Sequence, residues 1–353
     1  MKILTIVGAR PQFIKAAAVS YSFIQFKDIQ EVILHTGQHY DAGMSEVFFE
    51  DLQIPEPKYN LNLGGLSHGA MTGRMLEKIE EVCLKEKPEV VLVYGDTNST
   101  IAGALAAKKI HINVAHVEAG LRSYNMKMPE EINRILTDKI SDYLFCPTDA
   151  AIQNLKSEGV ENGQVKVINS GDVMFDAVKI FSEKSIPPQI ELHNNFVLCT
   201  IHRAENTDDL KRLGEIIYAL NQISQKNQIV LPIHPRTKQI IRNSGLQVAE
   251  NIRIIEPVSY FEMLYLLKHA SLVMTDSGGL QKEAYFMAKP CITMRDETEW
   301  VELVENKFNT LTGASSDKIL QAYEGAVVEN MDFSHQFYGN GKAGEIIALT
   351  LLG

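Results

Sequence analysis

The residues whose types and spacing could do chemistry fall into two groups. In the first half, four acids gather: Asp96 in Gly95-Asp-Thr97, Glu118 in Glu118-Ala-Gly120, and Glu130 and Glu131 after Pro129. Several carboxylates near one carbon suit abstraction and return of a proton, where a placed base contributes on the order of 10²–10⁴ in rate. Carboxylates also stabilise an oxocarbenium-like carbon. A single acid of this kind is often only a cap or a solvated surface group. Glu131, close before Arg134, is read as a cap or an ion-pair partner and is given no chemistry.

The second group is the stretch Leu272-Val-Met-Thr-Asp-Ser-Gly-Gly-Leu-Gln-Lys-Glu-Ala-Tyr-Phe286. A short apolar run predicts a strand. Asp276, Ser277, Gly278 and Gly279 can cap a helix and let backbone approach a ligand. Leu280, Ala284 and Met287 recur at helical spacing. A strand turning through Ser-Gly-Gly into a helix presents free N–H groups and a favourable dipole to an anion. Glu283 follows one turn later on the side of Gly279; a carboxylate there can accept hydrogen bonds from ribose hydroxyls. A bare tight turn would explain this stretch equally well, so the rest of the chain decides.

The elements that must position these groups alternate throughout. Apolar runs at 2–7, 31–35, 90–94, 112–117, 142–146 and 165–169 predict strands in the first half. Runs at 196–200, 229–232, 252–255, 272–275 and 290–294 predict them in the second, with helical patterns between. Such alternation implies an α/β protein with two Rossmann-like, doubly wound parallel sheets. The expected domains are 1–169, carrying the acids, and 170–341, carrying the glycine turn. An apolar helix at 342–353 is free to pack back on the first. Arg10, Gln38, Asp96, Glu118, His202, His234, Ser277 and Arg295 each follow a predicted strand directly. In open parallel sheets ligands bind beyond the carboxyl ends of the strands. Two sheets facing each other would therefore line a cleft from both sides.

Composition narrows the class. The 353 residues suit two domains, and 45% hydrophobic with 22% charged content is that of an ordinary globular chain. A net charge of -10 argues against a general nucleic-acid or anionic-membrane binder, yet leaves room for a local basic pocket. No apolar run approaches the roughly 18 residues of a membrane span, and residues 1–7 are too short for a signal segment. Cys83, Cys146, Cys199 and Cys291 lie far apart and read as core residues of a cytoplasmic protein. Neither GxGxxG after a strand nor GxxxxGK[ST] occurs, nor any HExxH or paired-cysteine metal spacing. The expectation is chemistry on a nucleotide sugar without metal or cofactor. Arg10, in the first strand-to-helix loop, can pair with phosphate; Lys15, inside the helix, reads equally as a surface lysine.

Taken together, Gly8-Ala-Arg-Pro-Gln12, Gly95-Asp-Thr97, His116-Val-Glu-Ala-Gly-Leu-Arg122, Pro129-Glu-Glu-Ile-Asn-Arg134, His202-Arg203, Thr275-Asp-Ser-Gly-Gly279 and Met294-Arg-Asp296 closely resemble the non-hydrolysing UDP-N-acetylglucosamine 2-epimerases. The resemblance runs over essentially the whole chain. It implies the fold of two-domain glycosyltransferases, a homodimer, and anti elimination of UDP followed by its re-addition with the carbon-2 proton returned to the other face. It implies that Asp96, Glu118, Glu130, His202 and Lys15 are catalytic, and that the basic Arg10 binds the substrate's UDP. It implies that Ser277, Gly278 and Gly279 hold the diphosphate, that Glu283 meets the ribose, and that His234, Arg236 and Arg295 lie near the nucleotide.

The chain departs from the common pattern in places. The first motif reads Gly8-Ala-Arg-Pro-Gln12 rather than Gly-Thr-Arg-Pro-Glu. The loop before Pro129 lacks the usual Pro-Trp, and Glu299-Trp-Val-Glu302 replaces an arginine-then-proline ending. These variants resemble the branch acting on UDP-2,3-diacetamido-2,3-dideoxy-glucuronic acid for surface polysaccharide. Gln12 in place of a glutamate, and the added Lys127, would suit a substrate with its own carboxylate. The region after Gln38-His39 differs from the segment linked to substrate allostery in the simple epimerases, so that regulation is not expected here. The alternatives are a UDP-N-acetylglucosamine 2-epimerase, a hydrolysing epimerase, a glycosyltransferase of the same fold, and a UDP-sugar-binding regulator without turnover.

Overall fold

The computed structural model describes residues 1–38, 55–160, 165–328 and 331–353. The chain divides into two compact units, Met1–Lys179 with Gln336–Gly353, and Ile180–His335. The stretch from His39 to Ile54, on which the expectation about allostery falls, lies outside the described residues.

In the first unit β1 (Lys2–Val7), β2 (Gln30–His35), β3 (Tyr59–Asn60), β4 (Val90–Tyr94), β5 (Asn113–Val117), β6 (Tyr143–Cys146) and β7 (Lys166–Asn169) form a parallel sheet. The strand order is β3-β2-β1-β4-β5-β6-β7. Its helices are α1 (Arg10–Phe23), α2 (His68–Glu86), α3 (Asn98–Lys109), α4 (Pro129–Ile140), α5 (Asp149–Ser157) and most of α6 (Val173–Ser182). β4 is buried along its length, as a strand covered on both faces must be. α3 lies close on the sheet because its inward side is small. Ala102, Ala104, Ala106 and Ala107 are fully buried, and a Cβ at Gly103 would come within 2.7 Å of Ile6.

In the second unit β8 (Val197–Thr200), β9 (Ile229–Pro232), β10 (Ile252–Ile255), β11 (Leu272–Thr275), β12 (Cys291–Thr293) and β13 (Asn309–Leu311) form another parallel sheet, ordered β10-β9-β8-β11-β12-β13. Its helices are α7 (Ala204–Thr207), α8 (Leu210–Ile223), α9 (Pro235–Ser244), α10 (Tyr260–His269), α11 (Gly278–Phe286), α12 (Val301–Glu305) and α13 (Ser316–Val328). The last helix, α14 (Ala343–Leu352), belongs to the first unit and packs against α1. Gly344 permits that approach, since a Cβ there would sit 2.4 Å from the Ser22 hydroxyl. The Asp176 carboxylate caps α14 by accepting from the Ala343 and Gly344 N–H groups at 3.0 and 2.8 Å.

Both sheets thus have the doubly wound order in which the direction of winding reverses between two central strands. The switch lies between β1 and β4 in the first unit and between β8 and β11 in the second. Ligands of such sheets bind at that point, beyond the carboxyl ends of the strands. Most strands fall within a residue or two of their expected limits. β3 and β13 were not expected; both are short, and Asn309-Thr-Leu311 is too polar to read as a buried strand.

Candidate active site

At the switch point of the first unit the β1 loop leads into α1 through Gly8 and Ala9. Gln12, at the third helical position, turns back on this loop and is 2% exposed. Its Oε1 accepts from the Gly8 and Ala9 N–H groups at 2.8 and 3.1 Å. Its amide nitrogen donates to the Tyr94 carbonyl at 2.7 Å and lies 3.0 Å from the Thr97 and Thr100 hydroxyls. Gln12 therefore fastens the β1 loop to the β4 loop and has nothing left for a ligand. If Gln12, standing where a glutamate is common, suits a substrate with its own carboxylate, it does so by the charge it lacks and not by a direct contact of this amide. Gln38 is likewise committed to structure: its Oε1 accepts from the Ser99 N–H and hydroxyl at 3.0 and 2.8 Å. Lys127 is exposed on the loop before α4, and Arg10, the first residue of α1, is also exposed.

The acids themselves are held individually. The Lys15 ammonium pairs with the Glu118 carboxylate, and their side chains are only 13% and 11% exposed. Lys15 is thus not the surface lysine that its position in a helix would allow. The pair lies over Gly95, whose φ is +61°; a Cβ there would be 3.3 Å from Glu118 Oε2. Asp96 pairs with the Arg134 guanidinium, and its backbone carbonyl accepts from Asn133 Nδ2 at 2.9 Å. Loss of solvation pushes the Asp96 carboxyl above its ordinary value. Arg134 and Lys15 oppose this, while Glu118 reinforces it. A carboxyl raised by its surroundings next to a second acid suits a proton-transfer role.

Glu131 is fully buried. It accepts from the Ser123 and Tyr124 N–H groups (3.0 and 2.8 Å), from the Ser123 hydroxyl (2.9 Å) and from Arg134 (2.9 Å). Burial pushes its carboxyl up, but these donors together hold it below the ordinary range. It is the expected ion-pair partner of Arg134, and in place of capping the helix it holds the loop at Ser123 and Tyr124. Glu130, its neighbour, is exposed at the start of α4, with no hydrogen bond or ion pair among the described residues.

At the switch point of the second unit, His202 follows β8 and is oriented by Asp276, which follows β11. Asp276 is fully buried. His202 Nδ1 lies 3.0 Å from its carboxylate. The His202 and Arg203 N–H groups donate to it at 3.1 and 3.0 Å, and Asn206 Nδ2 at 3.2 Å. Burial pushes the Asp276 carboxyl up, yet His202 and these donors hold it below its usual value. Asp276 thus braces the histidine loop and is not a cap for α11. Ser277 is that cap, its hydroxyl accepting from the Leu280 N–H at 3.4 Å.

Gly278 and Gly279 begin α11 with no unusual φ, and a Cβ at Gly279 would meet nothing within 4 Å. Backbone strain does not explain them. A Cβ on Gly278 would come within 4 Å of Glu299, Arg295 and Arg203, so two guanidinium groups and the helix N-terminus converge here. Arg295 is 5% exposed and bonds Glu299 Oε2 at 2.9 Å through Nη1. Arg203 stands in the His202-Arg203 motif but is given no role by the sequence; its place directly after His202 is the available signal. Glu283 is 8% exposed on the next turn of α11. Trp300 donates its indole N–H to the Gly278 carbonyl at 2.8 Å, with the Lys282 ammonium 4.1 Å from its ring centre.

His234 and Arg236 have structural occupations. His234 caps α9, its Nδ1 accepting from the Arg236 N–H at 3.3 Å, and the Arg236 guanidinium pairs with Asp208 at 2.6 Å. Both are exposed. Among the described residues no cluster of His, Cys, Asp and Glu has the arrangement of a metal site. No helix among them is long and apolar enough to cross a membrane.

The chain is similar throughout to known proteins. A family model described as UDP-N-acetylglucosamine 2-epimerase matches residues 23–352. The UDP-2,3-diacetamido-2,3-dideoxy-D-glucuronate 2-epimerase of Pseudomonas aeruginosa is 55% identical over 99% of this chain and 98% of its own. The crystal structure of the Methanocaldococcus jannaschii UDP-GlcNAc 2-epimerase, in complex with UDP-GlcNAc and UDP, superposes with a TM-score of 0.83 at 43% identity, covering 100% of this chain and 99% of that one. The Neisseria meningitidis enzyme bound to UDP-GlcNAc gives 0.87 at 31% identity, covering both chains in full. With acids gathered at one switch point and cations at the other, and with relatives matched from end to end, the chain belongs to the UDP-N-acetylglucosamine 2-epimerase family.

Proposed function

We propose that the protein inverts carbon-2 of UDP-2,3-diacetamido-2,3-dideoxy-glucuronate. A carboxylate of the first unit removes the carbon-2 proton. The electrons of that C–H bond become the carbon-1–carbon-2 double bond, and the carbon-1–oxygen bond breaks with its electrons leaving on UDP. UDP then re-adds to carbon-1, and a proton is delivered to the other face of carbon-2.

Asp96, Glu118 and Glu130 are the acids proposed for these transfers, and the Lys15–Glu118 pair supplies a cation beside them. Arg203, Arg295 and the N–H groups that open α11 stabilise the departing diphosphate, charge that develops as the bond breaks. His202, braced by Asp276, acts at the same end of the substrate. Ser277, Gly278 and Gly279 line the diphosphate site, and Glu283 receives the ribose hydroxyls. His234 and Arg236 remain at its edge, and Arg10 meets phosphate from the first unit. The proposal includes a homodimer; Ile132 and Leu136, exposed one turn apart on α4, offer it apolar surface. It also includes a reducing, cytoplasmic setting in surface-polysaccharide synthesis, supported by four free, buried cysteines.

The observation that carries the substrate choice is the 55% identity to the Pseudomonas aeruginosa enzyme over nearly both full lengths. A second substrate, UDP-N-acetylglucosamine, has support from the solved relatives that bind it. Incubating the protein with each sugar separately and following the manno epimer by NMR decides between them. Faster turnover of the diacetamido uronate is expected; equal or faster turnover of UDP-N-acetylglucosamine overturns that choice.

A further inference from the structure

The two acids Asp96 and Glu118 stand on adjacent loops after β4 and β5, and both loops adopt backbone that needs holding. Gly95 has φ +61°, Glu118 +71° and Gly120 +79°. Glu118 is the unusual member, because a residue with a side chain seldom adopts this conformation. Beneath the loops lies His116, near the end of β5 and fully buried. Its Nε2 is 2.7 Å from the Gly95 carbonyl oxygen, and its Nδ1 is 2.7 Å from Asp138 Oδ1. A carbonyl only accepts, so Nε2 carries a hydrogen. The other oxygen of Asp138 accepts from the Gly120 N–H at 3.1 Å and from Arg122 at 2.7 Å. Arg122 then grips Glu158 with two bonds of 2.7 and 2.9 Å.

Starting from the reading of the protein as a carbon-2 epimerase, we infer that His116 and Asp138 are positioning residues, a buried relay that sets the Gly95–Asp96 peptide and the Glu118–Gly120 turn against each other. The surrounding core is apolar, built from residues such as Val91, Val93, Val114 and Leu144. In such a core a polar group is disfavoured unless it is fully hydrogen-bonded, and apolar residues of equal volume often serve stability as well. What they cannot supply is a directional hold on one carbonyl and one N–H, each within two residues of a catalytic acid. The relay touches no substrate atom in this scheme. It acts through Gly95 and Gly120.

Two histidine replacements separate its halves. In His116→Gln the amide nitrogen takes the place of Nε2 and keeps the Gly95 bond. In His116→Asn the amide sits where Nδ1 was, so Gly95 loses its donor. Amide hydrogen exchange read by mass spectrometry on peptides covering 94–98 and 117–122 is the structural readout, with 275–283 as the control. The chemical readout is deuterium entry at carbon-2 of the UDP-sugar in heavy water. The expected result for His116→Asn is exchange at 94–98 faster by about tenfold or more. Its carbon-2 rate falls by about 10² while KM stays within about twofold, since a small misplacement costs rate and not remote binding. His116→Gln recovers most of both losses. Should His116→Asn fail to fold, Asp138→Asn is the second variant, expected to loosen both peptides. Wild-type protection at 94–98, or an unchanged carbon-2 rate, in a folded variant overturns the inference. Loosened loops with no carbon-2 exchange even in the wild type leave the relay standing and remove the epimerase reading instead.

Discussion

The Lys15 ammonium and the Glu118 carboxylate form an ion pair with little access to solvent, laid over a glycine whose missing side chain makes the room. Breaking a buried pair from one side is far more damaging than never having built it. Lys15→Met keeps the length of the side chain and removes its charge. The expected result is a rate lower by about 10² or more and a stability loss of up to about 3 kcal/mol. Gly95→Ala places a Cβ 3.3 Å from Glu118 Oε2 at φ +61°. It should lower stability by about 1–2 kcal/mol and lower the rate with it. Thermal melts and steady-state kinetics on both variants check this; full activity in Lys15→Met contradicts it.

Gln12 distinguishes a structural fastener from a substrate reader. Gln12→Glu removes the donor to the Tyr94 carbonyl and sets a carboxylate against it in a buried site. The expected cost is about 2–4 kcal/mol in urea denaturation, with the ratio of activities on the two candidate sugars unchanged. An intact stability with a shifted sugar preference would return Gln12 to the substrate.

Arg134 sets the acidity of Asp96. Burial raises the Asp96 carboxyl, and the guanidinium pulls it down. In Arg134→Gln the carboxyl must therefore rise further, so the group stays protonated to higher pH. The acid limb of the pH profile of kcat/KM should move upward in that variant. A limb that stays in place or moves downward excludes Asp96 as the group it reports.

Asp276 makes stability depend on pH in a known direction. Its folded carboxyl is held below the ordinary value by His202 and backbone donors, against burial. A depressed carboxyl adds stability that is fully present above its unfolded value, about 3.9, and is lost as pH falls through the folded one. Asp276→Asn should thus be less stable than wild type at pH 7, with the gap closing below about pH 4. Melting temperatures from pH 7 to pH 3 test this, and a gap that widens on acidification contradicts it. Activity should fall by about 10² as His202 loses its brace.

Much of this was legible in the chain. β1, β4 and β11 are apolar runs buried on both faces, and such runs are visible without a structure. Residues that follow strands, Asp96 after β4, Glu118 after β5, His202 after β8 and Ser277 after β11, are placed by topology alone. What could not be read depends on packing between distant segments. Gln12, on α1, meets a carbonyl 82 positions away at the end of β4, and His116 meets Asp138 22 positions on because α4 turns one face to the β4 and β5 loops. That face carries Glu131, Arg134 and Asp138 at successive helical turns, a pattern that charge spacing alone leaves as a solvated stripe. Asp276 looked like a helix cap because it precedes Ser-Gly-Gly; the β8 loop beside it took its carboxylate instead.

Incubation of UDP-2,3-diacetamido-2,3-dideoxy-glucuronate with the protein in heavy water, with no acceptor present, separates epimerisation from every rival. Deuterium should enter at carbon-2 of both epimers, with UDP recovered on the sugar, and this exchange should vanish in Asp96→Asn and Glu118→Gln. A manno product that keeps its original hydrogen, or a protein that binds the sugar and leaves carbon-2 untouched, would contradict proton abstraction by these acids.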